Sequence, residues 1–545
     1  MVSERAIHAV RRRVLDLTDR LVTLPLLRWT WQGHGEGAYA GDLPDFRPAD
    51  REAVREMMSG RYLLASKLIE TGGASPFALD VDHPDWWNNL QGFSWLRHFR
   101  DVRDPGERLF ARTLVLDWIG REGQFDRESW TLALTAQRVL NWLRHLTLLL
   151  DGATPDQART IQRSLGTQIQ SLRVRAGLAA DPVEALFAAI GLLGAALAEA
   201  EPGPDLDAHV GRLDAVLARQ LDADGLHVSR NPRLQMTLLA ELASLRRAVG
   251  RHGSPVMAEL ANRIDRMHEA LDALTLTSGE PVYFNGCGQV PHDVLVAIQA
   301  NGPAASRRSR LLGGYGIVRD GDSVVVADSG LRPPPGLDGE AHAGSLAFEF
   351  AHGSELIVGS CGPAPADLPE SRDLFRQGIA HSAPTIDAED AFAAPRGLLG
   401  GFAGPPPAPA MQLDTAEHML VLATSGYAER FGAEIERRLT LLSEGTTLVG
   451  QDRILAAGEP QGHLAIRFHL APGILVRRPG GEGMVRLVLP NGTVWSFLWE
   501  GASLREEDSV RQSAYLGFHR TRQLVLEAEV RAGLEVAWIF TREQQ

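Results

Sequence analysis

Through about residue 275, apolar residues recur at the 3.6-residue spacing of amphipathic helices. Between residues 129 and 150, Trp130, Leu134, Val139, Trp142 and Leu146 keep that spacing, which predicts a helix. Thr154-Pro155-Asp156 predicts the next helix start, with threonine as N-cap and proline in the first turn. Further helices are expected over 182–200, closed by Glu201-Pro-Gly-Pro, and over 205–221, 235–249 and 255–274. Residues 4–24 have the pattern of an amphipathic surface helix or of the first helix of the fold. Recurrent helices joined by short turns suggest a toroid or solenoid, although no clear internal repeat marks one.

Near residue 310 the period changes to 2. Residues 317–326 read as two strands around the Asp320-Gly321 turn. Leu346, Phe348 and Phe350 alternate, and His352-Gly353-Ser354 turns the chain into 355–358. Residues 435–442 and 464–470 are strand-like, and 485–489 with 494–499 predict a hairpin around Asn491-Gly492. Residues 391–409, rich in Ala, Gly and Pro, predict a loop. The expected fold is a multidomain α and β chain, with an α-helical toroid over 1–305 and an antiparallel β-sandwich over 306–545.

Composition narrows this picture only in places. At 545 residues the chain is too long for a single core. Its net charge of −13 argues against general nucleic-acid binding but leaves room for a locally basic cleft and an anionic ligand. Lys67 is the only lysine, so the cationic surface is arginine, whose planar fork suits carboxylates and sulfates. Cys287 and Cys361 form no metal-type pair, and one disulfide is the most they could make. No secretory signal pattern and no run of about 20 apolar residues is visible. The expectation is therefore a cytoplasmic or membrane-peripheral protein without a transmembrane segment, or a periplasmic one if the start is mis-assigned.

Several segments in order resemble the heparinase II/III family of polysaccharide lyases. They are Arg138-Val-Leu-Asn-Trp142, Asp224-Gly-Leu-His-Val-Ser-Arg-Asn-Pro232 and Tyr283-Phe-Asn-Gly286, then Gly314-Tyr-Gly, Asp328-Ser-Gly330, His342-Ala-Gly-Ser-Leu-Ala-Phe-Glu349, Ala380-His-Ser382, Gly426-Tyr-Ala-Glu-Arg-Phe-Gly432 and Leu489-Pro-Asn-Gly-Thr-Val-Trp495. The resemblance implies an incomplete (α/α) toroid, a β-sandwich, a cleft between them, and β-elimination on a uronic-acid-containing polysaccharide or oligosaccharide. Elimination requires donors that neutralise the uronate carboxylate, a base for the C5 proton and an acid for the leaving oxygen.

On this basis His342, Arg230, Asn231 and Tyr315 are the catalytic candidates. Asn141, Arg138, Trp86, Trp87 and Tyr283 are the substrate-binding candidates. Chemistry of this kind requires no cofactor, but the resemblance implies a structural divalent metal, zinc, at His342 and His381, with the third ligand position near Ser360. The chain departs from the family at the usual catalytic pairs. An Asn-His pair is replaced by Ala179-Ala180-Asp181, the Tyr-His pair gives way to Arg233-Leu234-Gln235, and Glu340 stands where many members have a further histidine. The alternative expectation is a non-catalytic glycan-binding relative. A glycoside hydrolase would need two facing carboxylates, and no such pair stands out.

Overall fold

The computed structural model describes residues 4–32, 39, 43–199, 205–249, 255–365, 368–392, 410–478 and 483–543. The helix-closing residues 201–204 and most of the expected loop, 393–409, lie outside them. The chain forms two compact units. One contains the described residues of Met1–Leu221, Met236–His268 and Asp293–Pro303; the other contains Asp222–Gln235, Glu269–His292 and those of Ala304–Gln545. The units therefore do not follow a single cut at residue 305. Two pieces of the helical half, residues 222–235 and 269–292, belong with the sandwich.

The first unit is built from helices that the periodicity locates well. Thr154 caps Pro155–Arg175, and the Gln157 side chain returns to the Thr154 N–H to complete a capping box. Leu132–Arg144 and Leu146–Leu150 replace the single helix expected over 129–150, with His145 between them. The helix Pro182–Leu197 packs against both Leu132–Arg144 and Leu206–Gln220. Gly191 and Gly194 permit the first of these contacts. A Cβ at Gly191 would lie 2.9 Å from that of Ala136, and one at Gly194 would lie 2.3 Å from Leu140 Cδ2. Phe93, Trp118 and Trp142 meet edge-to-face in this core. No helix among the described residues is long and apolar enough to cross a membrane.

The second unit is an antiparallel sandwich of two sheets. One runs in the spatial order Ser503–Ser513, Gly517–Glu529, His463–Leu470, Glu355–Gly359, Phe348–His352, Ser323–Asp328, Tyr315–Asp320 and Arg310–Leu312, with Pro384–Ile386 also pairing His463–Leu470. The other runs Leu475–Arg477, Met484–Val488, Val494–Glu500, Glu535–Arg542, Thr447–Ala456, Ala433–Leu442, Met419–Thr424 and Ala410–Asp414. The two expected hairpins are present, with Asp320 facing Ser323 and Val488 facing Val494. Alternation sets which side chains enter the core: in Ala433–Leu442 every second residue is buried. One of those inward positions is Arg437, which pairs in register with Asp452.

Candidate functional site

The segment carrying Arg230 and Asn231 enters the helix Pro232–Val249 from the sandwich unit. Arg230 has a left-handed backbone, φ 60°, which is uncommon for a residue with a side chain. Its side chain is buried and fully engaged. Nε donates to Gly313 O at 2.8 Å, Nη1 to Leu331 O, and Nη2 to Asp328 Oδ1 at 2.6 Å. The guanidinium also lies 4.2 Å from the Tyr315 ring centroid.

Tyr315 is buried beneath it. The phenol donates to Arg230 O and accepts from Asn285 Nδ2, both at 2.6 Å. Burial pushes its pKa above the usual phenol value, with the Arg230 charge opposing. Asn231 caps the helix it precedes, its Oδ1 accepting from the N–H groups of Arg233 (2.9 Å) and Leu234 (3.3 Å).

Asn285 joins these residues to His342. The His342 N–H donates to Asn285 Oδ1 at 3.1 Å. The N–H groups of Asn285 and Gly286 face His342 Nδ1 and Nε2 at 3.1 and 3.0 Å. A neutral imidazole accepts at only one nitrogen, and an imidazolium at neither. Burial, aided by the Arg376 charge, lowers the His342 pKa to about 3, which agrees with a neutral ring. Two backbone N–H groups thus occupy the ring edge that would otherwise take a proton from a sugar.

The structure therefore gathers four catalytic candidates, Arg230, Asn231, Tyr315 and His342, around Asn285 and Gly286. It gathers them as a closed structural network. Asn285 and Asp328 are its hubs, and neither was singled out from sequence. Both lie in segments that carry the resemblance, yet a motif gives residue types without saying which side chains meet.

The metal expectation can be tested on the donors themselves. His381 is fully buried, neither of its ring nitrogens has a hydrogen-bond partner among the described residues, and its ring lies tilted against that of His342 with centroids 4.6 Å apart. Burial holds its pKa well below the usual value. Ser360, at the third position, offers a neutral hydroxyl. Among the described residues no group of three or more His, Cys, Asp or Glu could hold an ion. Two histidines, one already faced by N–H groups on both nitrogens, and a serine do not fit a zinc site, which normally has three or four good ligands.

Most substrate-binding candidates are also internal. Arg138 is buried against Trp118, 4.3 Å from the ring centroid, and donates to Gln168 Oε1, Gln91 O and Ser129 O. Burial lowers its pKa to about 9. Asn141 donates to Gly92 O at 2.7 Å and accepts from Arg47 Nη2 at 2.6 Å. Trp86 is buried, with its indole N–H on Tyr62 O. Trp87 retains partial exposure. Tyr283 is buried under Arg511, whose guanidinium carbon sits 3.7 Å from the ring centroid, and burial raises its pKa. Of the departures from the family pattern, Asp181 caps Pro182–Leu197 through the Val183 N–H, and Glu340 pairs with Arg372.

Within each unit there is also a surface cleft, and of the sequence candidates only Tyr283 lines one of them. In the helical unit, Asp45, Arg100, Arg108, Arg144, His145 and Asp151 help to line a cleft of about 400 Å³. In the sandwich unit, Glu280, Tyr283, Arg511, Gln512 and His519 help to line one of about 320 Å³. Behind Arg511 lies Glu349, fully buried, with its carboxylate 3.8 Å from the guanidinium. Burial raises the Glu349 pKa from 4.5 to about 7 despite that charge.

Such a group binds its proton more tightly in the folded state. Its contribution to stability is therefore greatest below the unfolded value and declines as pH rises toward 7. Glu349→Gln is expected to lose less stability than the unaltered protein between about pH 5 and about pH 8, by a few kcal/mol at most. Urea midpoints at the two pH values check this; equal losses in both proteins would contradict it.

Comparison with known proteins settles what this scaffold is. A model of the heparinase II/III-like C-terminal domain matches residues 303–539. Those residues belong to the heparinase II/III family. Over the whole chain the fold is that of the family's solved structures, an incomplete (α/α) toroid and a β-sandwich. A crystal structure of heparinase III covers 97% of this chain and 91% of that one, at TM-score 0.70 and 11% identity. Heparan sulfate lyase HepC from Pedobacter heparinus covers 99% and 88%, at TM-score 0.59 and 15% identity. At such identities the likeness concerns fold. In sequence, the chain is 26% identical over 531 residues to FtsZ-localized protein C of Caulobacter vibrioides, spanning 91% of this chain and 90% of that protein.

Proposed function

We propose that this heparinase II/III-family protein binds an anionic, uronic-acid-containing glycan and does not cleave it by β-elimination. One observation carries the reading: the side chains that would neutralise the carboxylate or move the proton are consumed by contacts within the protein. Arg230 is paired to Asp328, Tyr315 to Arg230 O and Asn285, and both nitrogens of His342 face backbone N–H groups. Leu234, where the family's tyrosine would stand, cannot transfer a proton.

The glycan part of the reading is supported by the fold and by the arginines of the helical-unit cleft. Arg100 and Arg108 are one-third exposed there, and the acids they pair with, Asp101 and Asp151, are themselves solvent-facing and not buried like Asp328; guanidinium groups at such a surface suit sugar carboxylates and sulfates.

A panel of polyuronides and sulfated polysaccharides tests both parts. The protein is expected to bind at least one of them by calorimetry, with no rise in ultraviolet absorbance from unsaturated uronyl ends. Arg100→Glu with Arg108→Glu is expected to weaken binding by about tenfold or more. Unsaturated ends would make it a lyase, and new reducing ends without unsaturation a hydrolase. No binding to any member of the panel would remove the glycan reading.

A further inference from the structure

The first helix, Glu4–Val22, and the turn that follows it carry an apolar face that none of the described residues covers. Val10, Val14, Leu17 and Leu21 fall within about 60° of arc at 3.6 residues per turn. They are 55–62% exposed, and Leu24, Leu26, Leu27 and Trp29 extend the patch at 43–83%. Exposed apolar residues are common singly on any surface, but eight within 20 positions form a contiguous patch that calls for a partner.

Opposite this stripe, the segment is fastened to its own unit. Arg175 pairs with Asp19 at 2.7 Å, Arg28 donates to Phe125 O at 3.1 Å, and Trp31 packs edge-on against Phe125. The apolar side chains therefore face outward from an anchored element.

Charge indicates what covers them. Arg11, Arg12 and Arg13 are exposed and make no ion pair among the described residues. The two acidic residues of the same stretch are neutralised, Asp16 by Arg20 at 2.8 Å and Asp19 by Arg175. A chain with net charge −13 thus presents a cationic apolar strip at this one helix. Arg13 and Arg20 flank the stripe on one side and Arg11 on the other, where long side chains can extend toward polar headgroups while the leucines and valines go deeper. Trp29 suits the boundary between acyl chains and water.

We propose that residues 10–29 form an interfacial docking surface for an anionic lipid bilayer, with the helix lying in the plane of the headgroups. The apolar stripe supplies insertion and the arginines supply the preference for negative charge. This inference does not depend on the glycan reading.

Sedimentation of the full chain with phosphatidylcholine vesicles, with and without phosphatidylglycerol, tests it. The protein is expected to pellet with the mixed vesicles at least tenfold more than with phosphatidylcholine alone. Leu17→Glu with Leu21→Glu should reduce pelleting about tenfold or more, and Arg11→Glu with Arg12→Glu and Arg13→Glu should remove the preference for the anionic lipid. Thermal midpoints equal to that of the unaltered protein confirm that these variants fold. No pelleting with mixed vesicles, or pelleting unchanged in the folded leucine variant, would overturn the proposal. So would a dimer in sedimentation velocity that the leucine changes dissociate while vesicles bind nothing, which would make a second copy the occupant.

Discussion

Arg230→Ala is expected to destabilise the sandwich unit by about 3–5 kcal/mol, a loss visible as a lower denaturant midpoint with no ligand present. The reason lies in what the substitution leaves behind. Asp328 keeps the Gly330 N–H at 2.7 Å and Asn285 Nδ2 at 3.2 Å, but its countercharge is gone while it remains buried. The carbonyls of Gly313 and Leu331 lose their donor, and the face of Tyr315 loses its cation. Lysine should not rescue, because an ammonium cannot reproduce the fork that reaches three acceptors. Glycine should be less harmful than alanine by roughly 1 kcal/mol, since it adopts φ 60° without strain. A substrate-binding arginine would behave differently, with its alanine variant keeping the midpoint and losing only affinity. An unchanged midpoint for Arg230→Ala would return Arg230 to the list of glycan contacts.

That contrast marks where the sequence is legible. Thr154-Pro155-Asp156 identifies a helix start because capping is a local event, decided within four residues. The hairpins at Gly321 and Asn491 are legible for the same reason, and so is the change of period near residue 310. Resemblance goes further and assigns Arg230, Tyr315 and His342 to one candidate site, and Asn285 connects Tyr315 and His342. It could not say that they are spent. Arg230 meets an acid 98 positions away, and Tyr315 meets an amide 30 positions away. Pairing at such separations is set by packing, which the motif does not encode. The same limit explains the two segments that join the sandwich from the helical half. Residues 222–235 and 269–292 carry no signal for which core they pack against. Long strands such as Gly517–Glu529, rich in charge and only partly buried, blur the period-2 signal.

The second large effect is expected at Arg437, where alternation along Ala433–Leu442 places an arginine among inward-facing isoleucine and leucine. Arg437 and Asp452 are both fully buried and joined by two bonds, Nε to Oδ1 at 2.7 Å and Nη2 to Oδ2 at 2.9 Å. Arg437→Ala should lower stability by about 3–5 kcal/mol, because Asp452 would stay buried without its partner. Removing both charges is the more informative change. A buried ion pair replaced by apolar residues of similar volume is often neutral or gains about 1–4 kcal/mol. Here Arg437→Met with Asp452→Leu should not reach neutrality, since the pair also serves other groups. Arg437 donates to Leu346 O at 2.8 Å and Ser382 O at 3.2 Å, and Asp452 accepts the Trp538 indole N–H at 2.9 Å. Ser382 O keeps the Phe348 N–H, but Leu346 O and the Trp538 indole would be left unsatisfied, at about 1–3 kcal/mol each. Trp538 has little freedom to seek another acceptor, because it is fully buried with its ring stacked on Phe348 and edge-on to Phe468. Urea unfolding of the single and double variants decides between the two arguments. A double variant as stable as the unaltered protein would mean that the pair is only a charge pair. One that stays well below it would mean that Arg437 and Asp452 hold the two edges of a polar network, tying Leu346 and Ser382, beside the two histidines, to the strand that carries Trp538.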